Sequence, residues 1–188
     1  MQKIKLFLCL FLVLIISSIV FASENNESLS VERYALYVAA NNGGAERDIL
    51  KYAASDAKKL MEAMQEIGGI NQDNSVILVE PKITDVENAL QSFATTINQK
   101  KSNARRTEFI FYYSGHSDEN ALLLGEESYG YSQLKADINS VPSDIHVVML
   151  DSCFSGNFIR AKGGSRQKSF LVDDSSVVSG HAYLSSSS

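Results

Sequence analysis

Phe109-Ile110-Phe111-Tyr112-Tyr113-Ser114-Gly115-His116 decides the fold, because it joins a buried strand to a histidine. Five apolar or aromatic residues in succession predict a β-strand that is covered on both faces. Residues 145–156 repeat the arrangement, with an apolar run that is followed by Asp151-Ser152-Cys153. The two segments therefore predict two strands that deliver an imidazole and a thiol at their C-terminal ends.

The remaining sequence alternates between strand and helix patterns. Predicted strands cover residues 34–40, 75–80, 109–113 and 145–150, and a predicted hairpin covers residues 121–131. Apolar residues recur at helical spacing over residues 49–64 and 86–97. Ser132 is the expected N-cap of a short helix that ends near residue 138. The run Asn41-Asn42-Gly43-Gly44 predicts a turn after the first strand.

This alternation predicts an α/β fold with a mostly parallel central sheet and helices on both faces. Ligands bind to such sheets beyond the carboxyl ends of the strands. His116 and Cys153 both follow a strand at that edge. We therefore expect a functional site there.

The first residues have the pattern of a targeting segment. Lys3 and Lys5 precede an apolar run over residues 6–20, and Val20-Phe21-Ala22 offers small residues at the spacing of a cleavage site. This pattern predicts a secretory signal peptide over residues 1–22 and an exported protein, either periplasmic or secreted. An uncleaved membrane anchor over residues 6–22 is the alternative, since the apolar run approaches the length that spans a bilayer.

The composition argues against a nucleic-acid partner and bears on the role of Cys153. The chain of 188 residues carries a net charge of −5 at pH 7, which argues against a nucleic-acid partner because such proteins need a basic face. It contains two cysteines, and Cys9 would leave with the signal peptide. Cys153 would then have no disulfide partner in its own chain, so residues 31–188 are expected to fold as one domain that packing stabilises.

Thiol chemistry explains why these residue types belong together. Attack on an amide carbonyl requires a thiolate, and a neighbouring imidazole can take the thiol proton near neutral pH. Gly115 is expected to let a substrate approach and to offer its N–H to a developing oxyanion. Taken singly, Cys153 is a small buried hydrophobe and His116 a hydrogen-bonded polar group. Together at one sheet edge, they favour a catalytic pair.

The other two histidines are predicted to be structural. His146 opens the strand that precedes the thiol, and His181 opens the last strand, in Gly180-His181-Ala182-Tyr183-Leu184. His181 is the alternative base if His116 proves to be remote from Cys153.

Two motifs and their setting resemble a known family. Tyr-Tyr-Ser-Gly-His at 112–116 and Asp-Ser-Cys-Phe-Ser-Gly at 151–156, with the helix that contains Ala54-Ser55-Asp56-Ala57, resemble the caspase/metacaspase cysteine peptidases, and their bacterial members in particular. The resemblance covers residues 31–188. It implies a three-layer α/β/α sandwich in which His116 is the general base and Cys153 the nucleophile. It also implies an oxyanion hole formed by the N–H groups of Gly115 and Cys153.

The resemblance further implies an acidic pocket for the residue before the scissile bond. The metacaspase positions correspond here to Asp56, Ser114 and Asp151, and two carboxylates favour the cationic side chain of Arg or Lys. We therefore expect cleavage after Arg or Lys. Animal caspases place arginines in this pocket and cleave after Asp, but Arg47 does not align well with those positions. Without the resemblance, Asp56 is a solvated helix residue and Asp151 a turn residue.

In this family a large-subunit region is joined to a small-subunit region by a linker that is often cut. The large-subunit region would end near residue 156, the linker would cover residues 157–180, and the small-subunit region would begin over residues 181–188. The candidate self-cleavage sites in this linker are its basic residues, Arg160, Lys162, Arg166 and Lys168. The alternative is that the segment is an ordinary solvated loop. Family members continue beyond the position of Ser188, so the fold is expected to lack the last part of the small-subunit region. A separate segment would then be a partner.

Two functions stay open at this point. The first is a cysteine endopeptidase that acts on a peptide or protein substrate without an organic cofactor. The second is a catalytically inactive caspase-like module that binds peptides or partner subunits. A third reading, a legumain or clostripain lineage, is disfavoured by the Asp-Ser-Cys sequence.

A metal site is not supported by the sequence. No cysteine or histidine cluster has the spacing of a zinc site. Calcium activates some metacaspases, but Asp118-Glu119 and Asp173-Asp174 are too short to define a calcium site.

Overall fold

The computed structural model describes residues 30–100, 104–153 and 180–186. The predicted signal peptide and nearly all of the predicted linker, with its four basic residues, lie outside these described residues. The elements in chain order are β1 (Ser30–Ala40), α1 (Ala53–Glu66), β2 (Ser75–Val79), α2 (Ile83–Lys100), β3 (Ala104–Gly115), β4 (Ala121–Leu124), β5 (Glu127–Gly130), α3 (Tyr131–Ser140), β6 (Ile145–Asp151) and β7 (Gly180–Ser185).

Within the described ranges, five strands form the central sheet in the order β2-β1-β3-β6-β7, and β4 and β5 form a separate antiparallel hairpin. Strand β1 pairs in parallel with β2, and β6 pairs in parallel with both β3 and β7. The predicted mostly parallel sheet is therefore confirmed, as is the hairpin. Because parallel strands end at the same edge, the carboxyl ends of β3 and β6 lie side by side, with Ser114 opposite Asp151.

Apolar residues cover both faces of this sheet. On one face, β1, β3 and β6 pack against α2, α3 and the hairpin; the fully buried side chains there include Tyr34, Leu36, Leu90, Ile97, Phe109, Phe111, Tyr113, Leu122 and Leu134. On the other face, Tyr37, Ile110 and Tyr112 pack against Ala57 of α1. Each buried side chain of this size contributes roughly 1.5–3 kcal/mol. The predicted three-layer α/β/α sandwich is confirmed.

Helix α2 shows how the sequence produces one of these layers. Its buried residues recur every three or four positions, which places them on one side of the helix: Val86, Leu90, Phe93 and Ile97. Lys100 lies in the last turn, where a positive charge interacts favourably with the helix dipole. The helix predicted through these apolar residues is therefore confirmed.

Helix α1 begins at Ala53, later than the sequence predicts. Ile49 and Tyr52 match the apolar spacing of this helix, but they are 72% and 68% exposed. They belong to a loop, because the N–H of Leu50 donates to the carbonyl of Asn41 at 2.9 Å and so returns the chain to the end of β1. The predicted helical face over residues 49–52 is wrong.

Helix α3 begins at Tyr131, so Ser132 is not its N-cap. Gly130 holds the N-cap position and makes no side-chain cap hydrogen bond. The N–H of Tyr131 instead donates to the carbonyl of Asn120 at 2.8 Å. The residue just before β4 thus supplies a hydrogen-bond partner at the start of the helix.

His146 and His181 lie at the opposite end of the sheet from the thiol. They are cross-strand partners at the start of β6 and β7, and their rings stack with centroids 4.7 Å apart. The Nε2 atom of His146 lies 2.9 Å from the carbonyl of Val141, and that of His181 lies 2.9 Å from the side-chain oxygen of Asn139. At about 3.3 Å per residue, β6 separates His146 from Cys153 by roughly 20 Å. The alternative assignment of His181 as the base is therefore wrong.

His146→Gln should reduce the loss of stability in mild acid. Burial lowers the pKa of His146 below its ordinary value of 6.5, so the unfolded chain binds a proton that the folded chain resists. The stability that His146 contributes is therefore complete above pH 6.5 and is lost as the pH falls through the lower pKa of the folded state. Urea unfolding between about pH 5 and pH 7.5 should show a steeper fall in the free energy of unfolding for the wild type than for the variant. Equal slopes would contradict this role of His146.

Candidate active site

The carboxyl ends of β3 and β6 border a cleft of about 550 Å³. Its walls come from the loop after β1, the first turn of α1, the ends of β3 and β6, and the residue after β7. The lining residues are Leu50, Lys51, Tyr52, Ala53, Asp56, Ser114, Gly115, His116, Asp151, Ser152, Cys153 and Ser186. Every residue that the sequence predicts for the site lies in this lining.

Strand alternation explains why these side chains meet. Ser114 and Asp151 are register partners on β3 and β6, so their side chains project from the same face of the sheet. His116 follows Ser114 by two residues, and Cys153 follows Asp151 by two residues. Both residues lie just beyond the ends of two neighbouring strands, so the histidine, the cysteine and one carboxylate line the same cleft.

The imidazole of His116 is oriented by a backbone carbonyl. Its Nε2 atom lies 2.8 Å from the carbonyl oxygen of Asp48. A carbonyl oxygen can only accept a hydrogen bond, so Nε2 carries the proton. This contact fixes the tautomer of neutral His116 and leaves the Nδ1 lone pair as the basic atom.

Gly43 packs closely against the same ring. A Cβ atom at Gly43 would lie 2.5 Å from Cδ2 of His116 and 2.6 Å from its Cγ, which is closer than any side chain can approach. Gly43 is buried. The loop after β1 therefore holds His116 from two points, the backbone of Gly43 and the carbonyl of Asp48.

The structure explains the glycine at position 115 differently from the sequence analysis. A Cβ atom at Gly115 would collide with the hydroxyl of Tyr113 and would lie 2.7 Å from the carbonyl of Ala40. The missing side chain thus makes room for the protein's own packing, and the expectation that it makes room for a substrate is wrong. Tyr113 uses this space to donate to the carbonyls of His116 at 2.6 Å and Leu123 at 2.8 Å.

Cys153 is exposed and is the free cysteine of the described residues. Its carbonyl accepts a hydrogen bond from the hydroxyl of Ser117, a residue that is only 1% exposed. This bond ties the segment after His116 directly to the backbone of Cys153. The neighbouring Ser152 is buried, and its hydroxyl has no hydrogen-bond partner within the described residues.

The acidic side of the cleft contains Asp56 and Asp151. Asp56 lies in the first turn of α1 and is half-buried, and its carboxylate is 3.8 Å from the ammonium of Lys59. The side chain of Lys59 is 75% exposed and that of Asp56 is 45% exposed, so the ion pair contributes little. Asp151, the last residue of β6, is exposed, whereas Ser114 between the two carboxylates is 5% exposed.

Tyr112 lies beneath this acidic side, and sequence reasoning did not select it. Burial raises the pKa of Tyr112, and the negative charges of Asp151 and Asp56 raise it further. The Tyr112 hydroxyl also interacts with the side chains of Ser114 and Asp151. Asp56 and Asp151 both line the cleft and both act on the pKa of this one phenol.

Three further contributors to the site escaped the sequence analysis for identifiable reasons. Asp48 contributes through its backbone carbonyl, which no residue type reveals. Gly43 was interpreted as part of a turn, and the Gly-Gly doublet was the one signal of close packing. Ser117 directly follows His116, but its hydroxyl donates to the carbonyl of Cys153, 36 positions along the chain, and no local pattern reveals such a contact.

The described residues contain no group of three or more His, Cys, Asp or Glu that could hold a metal ion. Asp118 serves its own turn, because its carboxylate accepts hydrogen bonds from the N–H groups of Asn120 at 2.7 Å and Ala121 at 2.9 Å. Asp173-Asp174 lies outside the part of the chain that the structure describes. Over the described part, no helix is long and apolar enough to cross a membrane.

Comparison with known proteins agrees with this geometry. The family model for the caspase domain matches residues 32–183. The chain is also 25% identical over 151 residues to Metacaspase-1 of Meyerozyma guilliermondii, a match that covers 68% of this chain and 36% of that protein. The chain thus spans little more than a third of the length of the curated relative that it matches.

The caspase-domain match covers most of the chain, so the protein belongs to the caspase-domain family. This is a family of cysteine peptidases of the endopeptidase type. The resemblance seen in the two motifs is therefore confirmed, and the legumain and clostripain lineages are set aside.

Tyr113→Phe should lower the free energy of unfolding by about 1–3 kcal/mol, because the carbonyl of Leu123 would lose a buried donor and the carbonyl of His116 would keep only the N–H of Leu123. Urea unfolding measures the change. Tyr34→Phe is the matched control, since Tyr34 is also fully buried but its hydroxyl has no hydrogen-bond partner within the described residues. The control should not lower the free energy of unfolding, because it removes a buried hydroxyl that makes no hydrogen bond. Equal effects of the two substitutions would show that the Tyr113 hydroxyl does not stabilise this segment.

Proposed function

We propose that the chain is a cysteine endopeptidase in which Cys153 is the nucleophile and His116 is the general base. One observation carries the proposal: the thiol, the imidazole and two carboxylates line a single cleft at the carboxyl edge of the sheet. Membership of a cysteine peptidase family supports it. The hydrogen bond from Nε2 to the carbonyl of Asp48 supports the role of His116, because it leaves Nδ1 free to take a proton.

In the first half of the reaction, the proton of the Cys153 thiol moves to Nδ1 of His116. The thiolate then attacks the carbonyl carbon of the scissile amide, and the carbonyl electron pair moves to oxygen. His116 returns the proton to the leaving nitrogen as the C–N bond breaks. The amine product departs, and an acyl thioester stays on Cys153.

In the second half, His116 takes a proton from water, and the hydroxide attacks the thioester carbonyl. The C–S bond breaks, the acid product leaves, and the sulfur regains a proton from His116. The N–H groups of Gly115 and Cys153 are the proposed donors to the oxyanion in both halves. The reaction as written requires no organic cofactor.

The cleft chemistry supports a preference for Arg or Lys before the scissile bond. A guanidinium that enters between Asp56 and Asp151 could make charge-assisted hydrogen bonds, which Arg forms in pairs with a carboxylate. Lys59 would not prevent this, because its exposed ion pair with Asp56 is weak. Arg47 is exposed and is absent from the cleft lining. The arginine-lined pocket of animal caspases therefore has no counterpart in Arg47.

Three further expectations belong with this proposal. Residues 1–22 would direct export, with an anchor over residues 6–22 as the alternative. The basic residues of the linker over 157–180 would be sites of self-cleavage. A further small-subunit segment would complete the cleft beyond β7. Ser186, which follows β7, already lines the cleft.

Reporter peptides with Arg or Lys before the scissile bond should be cleaved, and matched peptides with Asp there should not be. Asp151→Asn should lower kcat/KM for the Arg peptide by about 10- to 100-fold, since a hydrogen bond to a charged group contributes about 1.5–3 kcal/mol. Glu62→Gln is the matched control, because it removes one negative charge from an exposed site on α1. That control should leave kcat/KM unchanged.

Cys153→Ala tests the nucleophile in the same assay. The proposal requires the loss of cleavage in this variant. Cleavage by the Cys153→Ala protein at the wild-type rate would overturn the role of the thiol, and a preference for the Asp peptide would overturn the acidic pocket. No cleavage by either protein, together with peptide binding by both, would favour the inactive binding module.

A further inference from the structure

We propose that Glu80 is a positioning residue for His116, acting through the loop over residues 41–50. The inference rests on the proposed function, since it assigns Glu80 a role only if His116 is the base. Glu80 follows β2, two strands away from β3, and it is not part of the cleft lining. Its influence on His116 must therefore pass through other residues.

The backbone of Glu80 is unusual. It has a φ of 52°, and it is the non-glycine residue with positive φ within the described part of the chain. Such a conformation is strained for a side chain that carries a Cβ atom, and it persists only where neighbouring interactions hold it. Glu80 is exposed, so burial does not enforce this conformation.

Hydrogen bonds account for the strained conformation. The carboxylate of Glu80 accepts from the N–H groups of Asn41 at 2.8 Å and Asn42 at 3.3 Å. Its own N–H donates to the carbonyl of Ala39 at 2.8 Å. The left-handed backbone thus turns the carboxylate onto the point where β1 ends and the loop begins.

The two residues that Glu80 holds are the anchors of the loop. The carbonyl of Asn41 accepts from the N–H of Leu50 at 2.9 Å, which closes the loop at its far end. The carbonyl of Asn42 accepts from the N–H of Gly125 at 3.0 Å, which ties the loop to the hairpin. The side chain of Asn42 also accepts from the N–H of Gly44 at 3.0 Å.

Both supports of the His116 ring lie in the loop that these anchors hold, between Asn42 and Leu50. Gly43 directly follows Asn42 and packs against the ring, and Asp48 offers its carbonyl to Nε2. A shift of the loop would loosen the packing and lengthen the hydrogen bond at the same time. The geometry therefore assigns Glu80 the task of keeping the Nε2–H tautomer and the ring plane of His116 in place.

Glu80→Gly tests this role without adding strain, because glycine adopts positive φ freely. The ¹⁵N shifts of the imidazole, assigned with His116→Gln, should show one tautomer with a proton on Nε2 in the wild type. In Glu80→Gly the same signals should shift toward a mixture of both tautomers. For the Arg peptide, kcat should fall by about 10- to 100-fold with little change in KM, as expected when a reacting group is misplaced.

Glu66→Gly is the matched control, since Glu66 is an exposed residue at the end of α1. It should keep the wild-type tautomer and the wild-type kcat. A folded Glu80→Gly protein with the wild-type tautomer and kcat would overturn the proposal. If the Glu80→Gly protein does not fold, Glu80→Gln is the test of the positioning role. This variant keeps one acceptor oxygen for the N–H groups of Asn41 and Asn42. It should give an intermediate loss, and wild-type values would overturn the inference.

The tautomer measurement separates this inference from the proposed function. A wild-type protein with a fixed tautomer that cleaves no peptide would refute the peptidase, while the response of His116 to Glu80→Gly would still test the positioning role. A wild-type protein that cleaves peptides but shows no response to Glu80→Gly would refute the positioning role alone.

Discussion

The parallel pairing of β3 with β6 is the constraint on which the rest of the site depends. The register sets Ser114 opposite Asp151 and so fixes where His116 and Cys153 leave the sheet. A slip by one residue would reverse the face of every side chain on one strand, and the thiol and the imidazole would separate. The register itself is held by apolar residues buried on both faces, such as Phe111 on one face and Ile110 on the other. The packing of the core therefore determines the chemistry at its edge.

Backbone groups rather than side chains complete the geometry around the imidazole. The carbonyl of Asp48 fixes one nitrogen of His116, and the backbone of Gly43 limits the position of the ring. Ser117 connects the segment after His116 to the carbonyl of Cys153. A loop held in this way can orient a base before any substrate arrives, which is the preorganisation that catalysis requires.

The sequence predicted the parts of the structure that depend on local pattern. The apolar runs of β3 and β6 and the spacing of Leu90 and its neighbours on α2 were sufficient for the strands, the helix and the edge at which the site lies. It failed where tertiary contacts override pattern. Tyr52 has helical spacing but lies before α1, next to a loop that backbone hydrogen bonds hold. Position 115 is a glycine because the hydroxyl of Tyr113 occupies the space that a side chain would need. The role of the Asp48 carbonyl could not have been predicted, since any residue type supplies the same atom.

The central claim is that the imidazole of His116 activates the thiol of Cys153. The most direct measurement is the rate of alkylation of Cys153 by iodoacetamide as a function of pH, in the full chain with Cys9→Ser so that one thiol reacts. The account predicts that the wild-type thiol reacts faster near neutral pH than an unassisted thiol does, and that His116→Ala removes this advantage. Identical pH profiles for the two proteins would contradict it.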